Sequence, residues 1–220
     1  MEKILVAGYQ GKMGSVVFET LKSAGFDVVG KGHGDDFDHV GKVKLVIEFG
    51  GAECSACCAK WCQENRVPLV IGSTGHSAEQ VGLINDAAKE TAVVMAGNFS
   101  LGIWCTKQMI KMLKTVGVTE ACIFEKHHKN KKDSPSGTAL ELANVVKNEL
   151  KINPQLFSLR GGKEIGTHEI SFYFEDECIE ISHKAFSRTA FAKGVVLAAK
   201  NINKLENNGI YSFEDVMGNF

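Results

Sequence analysis

The chain has 220 residues, 44% of them hydrophobic, and a formal net charge of -1. The near-zero charge argues against a general nucleic-acid-binding protein, which would carry a surplus of Lys and Arg. No apolar run reaches the roughly 18 residues that a membrane span requires. We therefore expect neither nucleic acid nor a membrane as a partner, and a length that suits one large domain or two small ones.

The first 100 residues alternate short apolar strands with helices. The predicted strands are KILVAG, FDVVG, VKLVIEF, VPLVIGSTG and AVVMAGNFS, the last two with their exit loops, and the predicted helices span residues 12–23, 52–65 and 77–90. Strands separated by helices predict a parallel sheet with helices on both faces. Near-continuous apolar strands are typical of a sheet buried on both sides.

The pattern changes after residue 100. Helices are predicted over residues 101–115 and 135–150, followed by a last helix over residues 189–204. The predicted strands are VTEACIFEKHH, FSLRGG, GTHEISFYFEDE and CIEISHKAFSR, with a hairpin turn around Asp176. We therefore expect a second α+β domain with a mixed sheet. The predicted boundaries are 1–98 with 189–220 for the first domain and 99–188 for the second.

A glycine-rich turn follows the first predicted strand and opens a helix. Gly8, Gly11 and Gly14 stand in a G-x-x-G-x-x-G spacing. Free N–H groups and the helix dipole favour an anion there, while Gly11 would admit a pyrophosphate and Gly14 would let the helix pack closely on the strand. In this strand–turn–helix context the glycines predict a dinucleotide site in a Rossmann-type domain. The alternative is a turn that needs glycine only for its geometry.

Two further strand exits suit the same cofactor. IGSTG (residues 71–75) and MAGNFS (residues 95–100) end strands with small or amide residues. Ligands of open α/β sheets bind outside the carboxyl ends of the strands, so a nicotinamide and its ribose are expected beside these loops. Either loop alone would more often be ordinary turn chemistry.

Four of the seven cysteines lie within nine residues on a predicted helix. Cys54, Cys58 and Cys62 share one helix face at a spacing of four, and Cys57 lies beside them. A zinc site more often uses a Cys-x-x-Cys turn with a distant second pair. We therefore expect no metal site and interpret the cluster as apolar packing, with oxidation-sensitive surface thiols left open. The odd count, without a secretion signal, indicates reduced thiols in a cytoplasm.

A cationic loop, EKHHKNKKDSPSGT (residues 125–138), follows a predicted strand. Pro135 suits the first turn of a helix, and Asp133 or Ser134 can cap that helix. The backbone N–H groups of residues 136–138 would then be among its unpaired donors. Cations beside a helix start suit a carboxylate, and a histidine can donate a proton. Together with a dinucleotide domain, the loop predicts reduction of a small carboxylated substrate; the alternative is a solvated loop before a helix.

This loop resembles the signature E-x-H-H-x-x-K-x-D-A-P-S-G-T-A of the dihydrodipicolinate reductase family. The segments GYQGKMG, VIEF, IGSTG, AGNFSLG, ISHKAFSRTAFAKG and GIYSFEDV are similar to that family in the same order, so the resemblance covers essentially the whole chain. It implies NAD(P)H-dependent reduction of 4-hydroxy-tetrahydrodipicolinate to tetrahydrodipicolinate in diaminopimelate and lysine biosynthesis. It also implies a cytoplasmic enzyme with a small dicarboxylate substrate, and usually a homotetramer formed through the second sheet.

The resemblance also implies roles for individual residues. His127 and Lys131 match the proposed proton donors. The residues that match substrate contacts are His128, Gly137 and Thr138. The residues that match cofactor contacts are Gly8, Tyr9, Gln10, Gly11, Lys12, Met13, Gly72, Ser73, Thr74, Ala96, Gly97, Asn98 and Phe99.

The chain departs from the family after the second strand, where GKGHGDDFDHVGKVK is compressed. The acidic residue that contacts the adenosine ribose is not obvious there. Lys31 and His33 stand at the strand end, and we add both as cofactor candidates, whereas Asp35 and Asp36 follow too late to be expected at the ribose. Since a lysine and a protonated histidine favour a 2′-phosphate, we expect use of both nucleotides with a lean toward NADPH.

Two alternatives remain open at this point. Another Rossmann reductase, such as a relative of aspartate or homoserine dehydrogenase, would need a catalytic Cys or a different Lys/Asp pair. A nucleotide-sensing protein that had lost its chemistry would be expected to lose His127 or Lys131, and both are present.

Overall fold

The computed structural model describes residues 3–32, 34–37 and 40–218. The elements before residue 101 are β1 (Lys3–Ala7), α1 (Gly14–Ser23), β2 (Asp27–Lys31), β3 (Leu45–Glu48), α2 (Ala52–Asn65), β4 (Leu69–Ile71), α3 (Ala78–Glu90) and β5 (Ala92–Met95). The later elements are α4 (Leu101–Met112), β6 (Glu120–His127), α5 (Gly137–Leu150), β7 (Gln155–Arg160), β8 (Thr167–Tyr173), β9 (Cys178–Lys184), α6 (Thr189–Asn201), β10 (Gly209–Tyr211) and α7 (Phe213–Met217). The cofactor candidate His33 lies outside the described residues.

The chain divides into two compact units, Met1–Ser100 with Phe191–Phe220, and Leu101–Ala190. The first unit holds a six-stranded sheet in the order β10-β5-β4-β3-β1-β2, and every neighbouring pair is parallel. The strand order reverses between β1 and β3, because the chain adds β2 on one side and the later strands on the other. Ligands of such sheets bind at this reversal, outside the carboxyl ends of the strands.

The inner strands β1, β3 and β4 of the first sheet are buried on both faces, as their apolar sequences predicted, whereas the edge strands β2 and β10 are partly exposed. Leu5, Val46, Ile47 and Val70 are fully buried. This arrangement, together with the second sheet, confirms the predicted fold class. Among the described residues, no helix is both long and apolar enough to cross a membrane.

The second unit holds a four-stranded mixed sheet in the order β7-β6-β8-β9. The β6–β7 pair is parallel and the other two pairs are antiparallel. The β8–β9 hairpin turns at residues 174–177, where the predicted turn around Asp176 falls, with the Phe174 N–H donating to the Glu177 carbonyl at 2.9 Å. One face of this sheet forms an apolar core with α4 and α5 through residues that include Ile123, Ile170 and Phe172.

The start of α5 differs from the prediction. The helix begins at Gly137 rather than Pro135, and its cap is Ser136, whose side chain accepts a hydrogen bond from the Ala139 N–H at 3.2 Å. The predicted caps Asp133 and Ser134 were therefore wrong. Ser136 has an extended backbone and Pro135 precedes the helix, so the proline ends the loop instead of occupying the first turn.

The cysteine face of α2 packs into the core of the first unit. Cys58 and Cys62 are fully buried and Cys54 is partly buried, whereas Cys57 is exposed. The packing interpretation is thus confirmed for the two buried thiols.

Two helical glycines of the first unit provide a matched test of how closely α6 packs against Phe99. A Cβ at Gly194 in α6 would overlap the Phe99 carbonyl oxygen, whereas a Cβ at Gly82 in α3 would meet nothing within 4 Å. Gly194→Ala should therefore lower the free energy of unfolding by at least the ~1–3 kcal/mol typical of overpacking. Gly82→Ala should leave it unchanged or raise it by up to about 1 kcal/mol, because Ala is the better helix former. Urea unfolding measures both, and equal effects would contradict the close approach of α6 to Phe99.

Candidate active site

The glycine turn of the first unit is closely packed. Gly8 has φ of +77°, and a Cβ there would lie 2.5 Å from the Gly50 Cα. A Cβ at Gly14 would overlap the Gly8 carbonyl, so the start of α1 packs closely on the turn that follows β1. The Gly11 N–H donates to the Gly8 carbonyl at 2.9 Å. Between these glycines, Gln10 and its neighbours form a largely exposed turn before α1.

The side chains of the turn differ in their surroundings. The Tyr9 ring lies against Gly30 of β2 and 5.4 Å from the Phe18 ring. Lys12 is exposed, and Met13 is partly buried as the residue before α1. The turn is therefore anchored by Tyr9 on one side and presents its backbone on the other.

Glu48 is a buried carboxylate at the end of β3 that sequence reasoning did not single out. It accepts hydrogen bonds from the Gly50 and Gly51 N–H groups and from the hydroxyls of Ser55 at 2.6 Å and Ser73 at 2.9 Å. Burial raises the pKa of Glu48 and outweighs these hydrogen bonds, which lower it. Glu48 thus joins the β3–α2 turn to the exit of β4. The sequence feature that could have identified Glu48 is the glutamate at the end of an apolar strand, in the segment VIEF.

The exits of β4 and β5 form one cleft of about 530 Å³. Of the predicted cofactor residues, it is lined by Ser73, Thr74, Ala96 and Gly97. The structure therefore brings residues from both predicted loops together.

The remaining predicted residues of these two exits lie around the cleft. A Cβ at Gly72 would overlap the Phe49 ring. The Asn98 side chain accepts the Ser100 N–H at 2.7 Å. The Phe99 side chain is buried, with its ring 6.3 Å from Phe49 and 5.2 Å from Phe213. The Phe99 side chain therefore belongs to the core of the unit.

After the end of β2, Asp35 lies closer to the glycine turn than its position in the sequence suggested. The Asp35 carboxylate accepts the Gly32 N–H at 2.7 Å, and a Cβ at Gly32 would lie 3.0 Å from Asp35 Oδ2 and 3.1 Å from Gln10 Oε1. Asp35 thus lies beside the glycine turn, because the chain reverses with Gly34 at φ of +83°. Lys31 is only 7% exposed and its ammonium lies 5.0 Å from the Phe37 ring centroid.

Glu125 is the centre of a polar cluster in the second unit. It lies fully buried on the helix-covered face of β6 and accepts a fork of hydrogen bonds from Arg160 on β7, at 2.9 and 2.7 Å. It also accepts the Ser136 N–H at 3.2 Å and a hydrogen bond from His127 Nδ1. Burial raises the pKa of Glu125, but these hydrogen bonds, led by Arg160, outweigh it and lower the pKa to about 2. Glu125 is therefore an anion.

His127 is oriented by this anion. Because Nδ1 faces the Glu125 carboxylate, the ring carries a proton on Nδ1 and directs Nε2 toward Gly166, where a Cβ would lie 3.0 Å away. Burial lowers the pKa of His127, Glu125 raises it, and the positive charges of Lys131 and Arg160 lower it, with a net decrease. The ring is therefore neutral near pH 7, with the Nε2 lone pair available.

Two further histidines extend the cluster. The His168 ring lies 5.3 Å from the His127 ring and 6.3 Å from the His183 ring, and its Nε2 lies 3.4 Å from the Ser136 hydroxyl. Burial lowers the pKa of His168 to about 3, assisted by His127, His183 and Lys131 and opposed by Glu125. Sequence reasoning missed both histidines; they lie directly opposite each other in the register of β8 and β9, and the available signal was one histidine in each strand of the predicted hairpin.

The cationic loop folds back on itself. Lys131 Nζ lies 2.9 Å from Asp133 Oδ1, and the Lys131 N–H donates to the His128 carbonyl at 3.1 Å. Arg160 donates to the Asp133 carbonyl at 2.6 Å and so ties the loop to the Glu125 cluster. His128 and Lys131 are each partly buried.

The start of α5 is only in part the anion receptor that the sequence predicted. The Ser136 N–H is taken by Glu125, and the Gly137 N–H donates to Asp133. A Cβ at Gly137 would meet nothing within 4 Å, and Thr138 follows it in the first turn. The prediction that all three N–H groups are unpaired was therefore wrong for Ser136 and Gly137.

A parallel sheet with a glycine turn at its strand reversal, joined to a unit with a buried acid–base cluster, defines a Rossmann-type oxidoreductase. The sequence model of the family "Dihydrodipicolinate reductase, N-terminus" matches residues 2–99 of the chain. The sequence model of the family "Dihydrodipicolinate reductase, C-terminus" matches residues 100–217. The chain belongs to the dihydrodipicolinate reductase family, as its resemblance predicted.

The chain is similar to individual proteins in sequence and in fold. The chain is 34% identical to the 4-hydroxy-tetrahydrodipicolinate reductase of Thermosipho africanus, over 96% of both chains. It is similar in fold to a dipicolinate-bound dihydrodipicolinate reductase from Paenisporosarcina sp. TG-14, with a TM-score of 0.75, 19% identity and coverage of 96% and 97%. An aspartate dehydrogenase from Thermotoga maritima shares the fold at a TM-score of 0.54 and 12% identity, over 96% and 99% of the chains.

Replacing His168 should reduce the loss of stability on acidification. Folded His168 stays neutral down to about pH 3, whereas an unfolded histidine binds a proton near pH 6.5. Between these values the unfolded state binds more protons, so stability falls with decreasing pH by about 1.4 kcal/mol per pH unit for one such group. Urea unfolding between pH 7 and pH 5 should show a shallower loss in His168→Gln than in the unaltered protein. Equal slopes would contradict the buried, neutral His168.

Proposed function

We propose that this protein reduces 4-hydroxy-tetrahydrodipicolinate to tetrahydrodipicolinate with a reduced nicotinamide nucleotide, in diaminopimelate and lysine biosynthesis. The observation that carries the proposal is the Glu125–His127 pair beside Lys131, in the segment that bears the family signature. The relative from Thermosipho africanus is a 4-hydroxy-tetrahydrodipicolinate reductase, and this supports the same reaction.

The first unit has the features that a nicotinamide nucleotide requires. Gly8 and Gly14 leave no room for side chains and so keep the turn tight, while Gly11 between them is exposed and is the glycine at which a pyrophosphate is proposed to approach the backbone. The cleft lined by Ser73, Thr74 and Gly97 lies at the exits of β4 and β5, where the nicotinamide and its ribose are proposed to bind. The reduced nicotinamide supplies a hydride to an electron-poor carbon.

The second unit has the charges that a dicarboxylate requires. Lys131 is a cation on a loop whose backbone is held by Arg160, so its position is fixed without substrate. We assign His128, Gly137 and Thr138 as further contacts to the substrate. A carboxylate that binds here can displace Asp133 from Lys131, because the Asp133 side chain is more than half exposed.

His127 is the proposed acid. Its pKa is lowered in the structure, but a bound dicarboxylate brings negative charge and raises it toward the working pH. Protonation then takes place at Nε2, because Glu125 already receives the Nδ1–H. As hydride adds to the substrate, negative charge develops on the atoms conjugated to the reacting carbon. The Nε2–H or the Lys131 ammonium can neutralise it.

Loss of either proposed proton donor should lower kcat strongly. His127→Asn and Lys131→Met should each reduce kcat by about 10²-fold or more, with the affinity for the nucleotide nearly unchanged. Lys132→Met is the matched control, since Lys132 is an exposed lysine of the same loop, and should retain activity. The measurement is nucleotide oxidation with freshly made product of the preceding synthase. Near-normal kcat in both variants would contradict the assignment.

We further propose that Asp35 sets the nucleotide preference and that the enzyme uses NADH better than NADPH. An acid at the end of the second strand accepts hydrogen bonds from the ribose hydroxyls and repels a 2′-phosphate. Asp35 lies beside Gln10 of the glycine turn, whereas Lys31 is buried under Phe37. This proposal replaces the lean toward NADPH that Lys31 suggested in the sequence.

The ratio of kcat/KM for the two nucleotides tests this preference. The unaltered protein should favour NADH, and Asp35→Asn should reduce that preference by about tenfold, the effect of about 1.4 kcal/mol. Asp36→Asn carries the same charge change one residue along and should leave the ratio near its original value. A preference for NADPH that neither variant alters would show that other groups select the nucleotide.

We also propose a homotetramer formed through the outer face of the second sheet. The side chains of Phe124, Phe157 and Leu159 point away from the helices, and the latter two are 49% and 47% exposed. Apolar side chains in such a row suit a contact between copies. Light scattering should give a tetramer for the unaltered protein and smaller species for Phe157→Glu. Leu140→Glu, an equally exposed change on α5, should remain tetrameric; a monomeric unaltered protein would rule the proposal out.

A further inference from the structure

The Ser73 hydroxyl connects a buried carboxyl to the surface of a cleft. Its oxygen lies 2.9 Å from Oε1 of Glu48 and accepts a hydrogen bond from the Gly51 N–H, also at 2.9 Å. Glu48 has no exposed surface. Ser73 is partly exposed and lines the cleft at the exits of β4 and β5, where the nicotinamide and its ribose are proposed to bind.

The surroundings of Glu48 decide which group donates in its contact with Ser73. Oε1 also accepts hydrogen bonds from the backbone N–H groups of Gly50 and Gly51. Because an N–H group can only donate, these two donors make Oε1 the accepting oxygen of the carboxyl. The hydrogen between Oε1 and the Ser73 oxygen therefore belongs to Ser73.

The same direction holds when Glu48 binds a proton, which matters because burial raises the pKa of this carboxyl. Its other oxygen, Oε2, lies 2.6 Å from the Ser55 hydroxyl, and that hydroxyl lies 3.2 Å from the Gly51 carbonyl oxygen. A proton on Oε2 can be donated to Ser55, which then donates its own hydrogen to the Gly51 carbonyl. Ser73 thus donates to Oε1 in both forms of Glu48.

This network leaves the Ser73 side chain with a single polar function for a ligand. A hydroxyl group has one hydrogen and two lone pairs. Glu48 takes the hydrogen and the Gly51 N–H takes one lone pair. The second lone pair remains, so the side chain can accept a hydrogen bond from a bound molecule but cannot donate one.

We propose that Glu48 is a positioning residue that makes Ser73 a fixed hydrogen-bond acceptor for the nicotinamide half of the nucleotide. The bound group is a hydrogen-bond donor of that half, namely the amino group of the carboxamide or a ribose hydroxyl. A hydroxyl that Glu48 already holds loses little freedom when the nucleotide binds, and this favours affinity. The inference rests on the proposed function, in that it takes this cleft as the nicotinamide site.

The test measures the affinity of the full-length protein for NADH by fluorescence titration. Ser73→Ala should bind NADH about tenfold more weakly, because the donor of the nucleotide loses its partner. Glu48→Gln should bind NADH as the unaltered protein does. Its amide oxygen can accept the hydrogen bonds that Oε1 accepts, while its amide nitrogen donates to Ser55.

Glu48→Leu separates positioning from a general effect on folding. This change keeps most of the bulk of the side chain but removes the acceptor, and it should weaken NADH binding about as much as Ser73→Ala. In a protein that already carries Ser73→Ala, Glu48→Leu should cause little further loss, since the two residues act through one hydrogen bond. Urea unfolding shows that each variant is folded. If Glu48→Leu does not fold, Ser73→Ala and Glu48→Gln still decide the outcome.

The acetylpyridine analogue of NADH identifies the donor, because a methyl group replaces the amide nitrogen in it. Its affinity is measured by displacement of NADH. If the carboxamide donates to Ser73, Ser73→Ala should bind this analogue as well as the unaltered protein does. If a ribose hydroxyl donates, Ser73→Ala should weaken the binding of the analogue and of NADH equally.

Three outcomes would overturn the inference. They are unchanged NADH affinity in Ser73→Ala, a loss in folded Glu48→Gln as large as that in Ser73→Ala, and losses in Glu48→Leu and Ser73→Ala that add fully in the double variant. Because these experiments measure nucleotide binding alone, a protein that binds NADH but reduces no substrate contradicts the proposed function and leaves them intact.

Discussion

The second unit depends on the buried ion pair of Glu125 and Arg160. A carboxylate without exposure is costly unless its oxygens are fully hydrogen-bonded, and here Arg160, Ser136 and His127 donate to it. These donors come from β7, the start of α5 and the end of β6. One anion therefore sets the position of the loop, the start of the helix and the orientation of the histidine ring. Breaking such a pair typically costs about 3–5 kcal/mol.

Glu48 plays a comparable structural part in the first unit, with a different electrostatic result. Both carboxylates are fully buried near the end of a strand and accept several hydrogen bonds. The hydrogen bonds to Glu48 come from neutral N–H and hydroxyl groups, so burial prevails and raises its pKa. Glu125 receives the Arg160 guanidinium, and its pKa falls. Glu125 is thus suited to hold a proton on His127, while Glu48 is suited to shape a turn.

The sequence predicted the elements well where local rules left a single choice. The helix over residues 52–65 has the predicted bounds, and the apolar strands of the first sheet lie where their composition placed them. The start of α5 was predicted incorrectly because Asp133, Ser134 and Ser136 are all good caps by local rules. The choice of Ser136 is favoured by a contact from outside the segment, since its N–H donates to Glu125 on another strand.

The sequence by itself determined the fold class, the family and the residues of the family signature, because these depend on periodicity and on a contiguous motif. Only the tertiary structure revealed Arg160, Glu48 and His168, and the return of Asp35 to the glycine turn. Glu125 and Arg160 are 35 residues apart and meet through the parallel register of β6 and β7. A register between strands depends on the packing of whole faces, so no local pattern could have paired them.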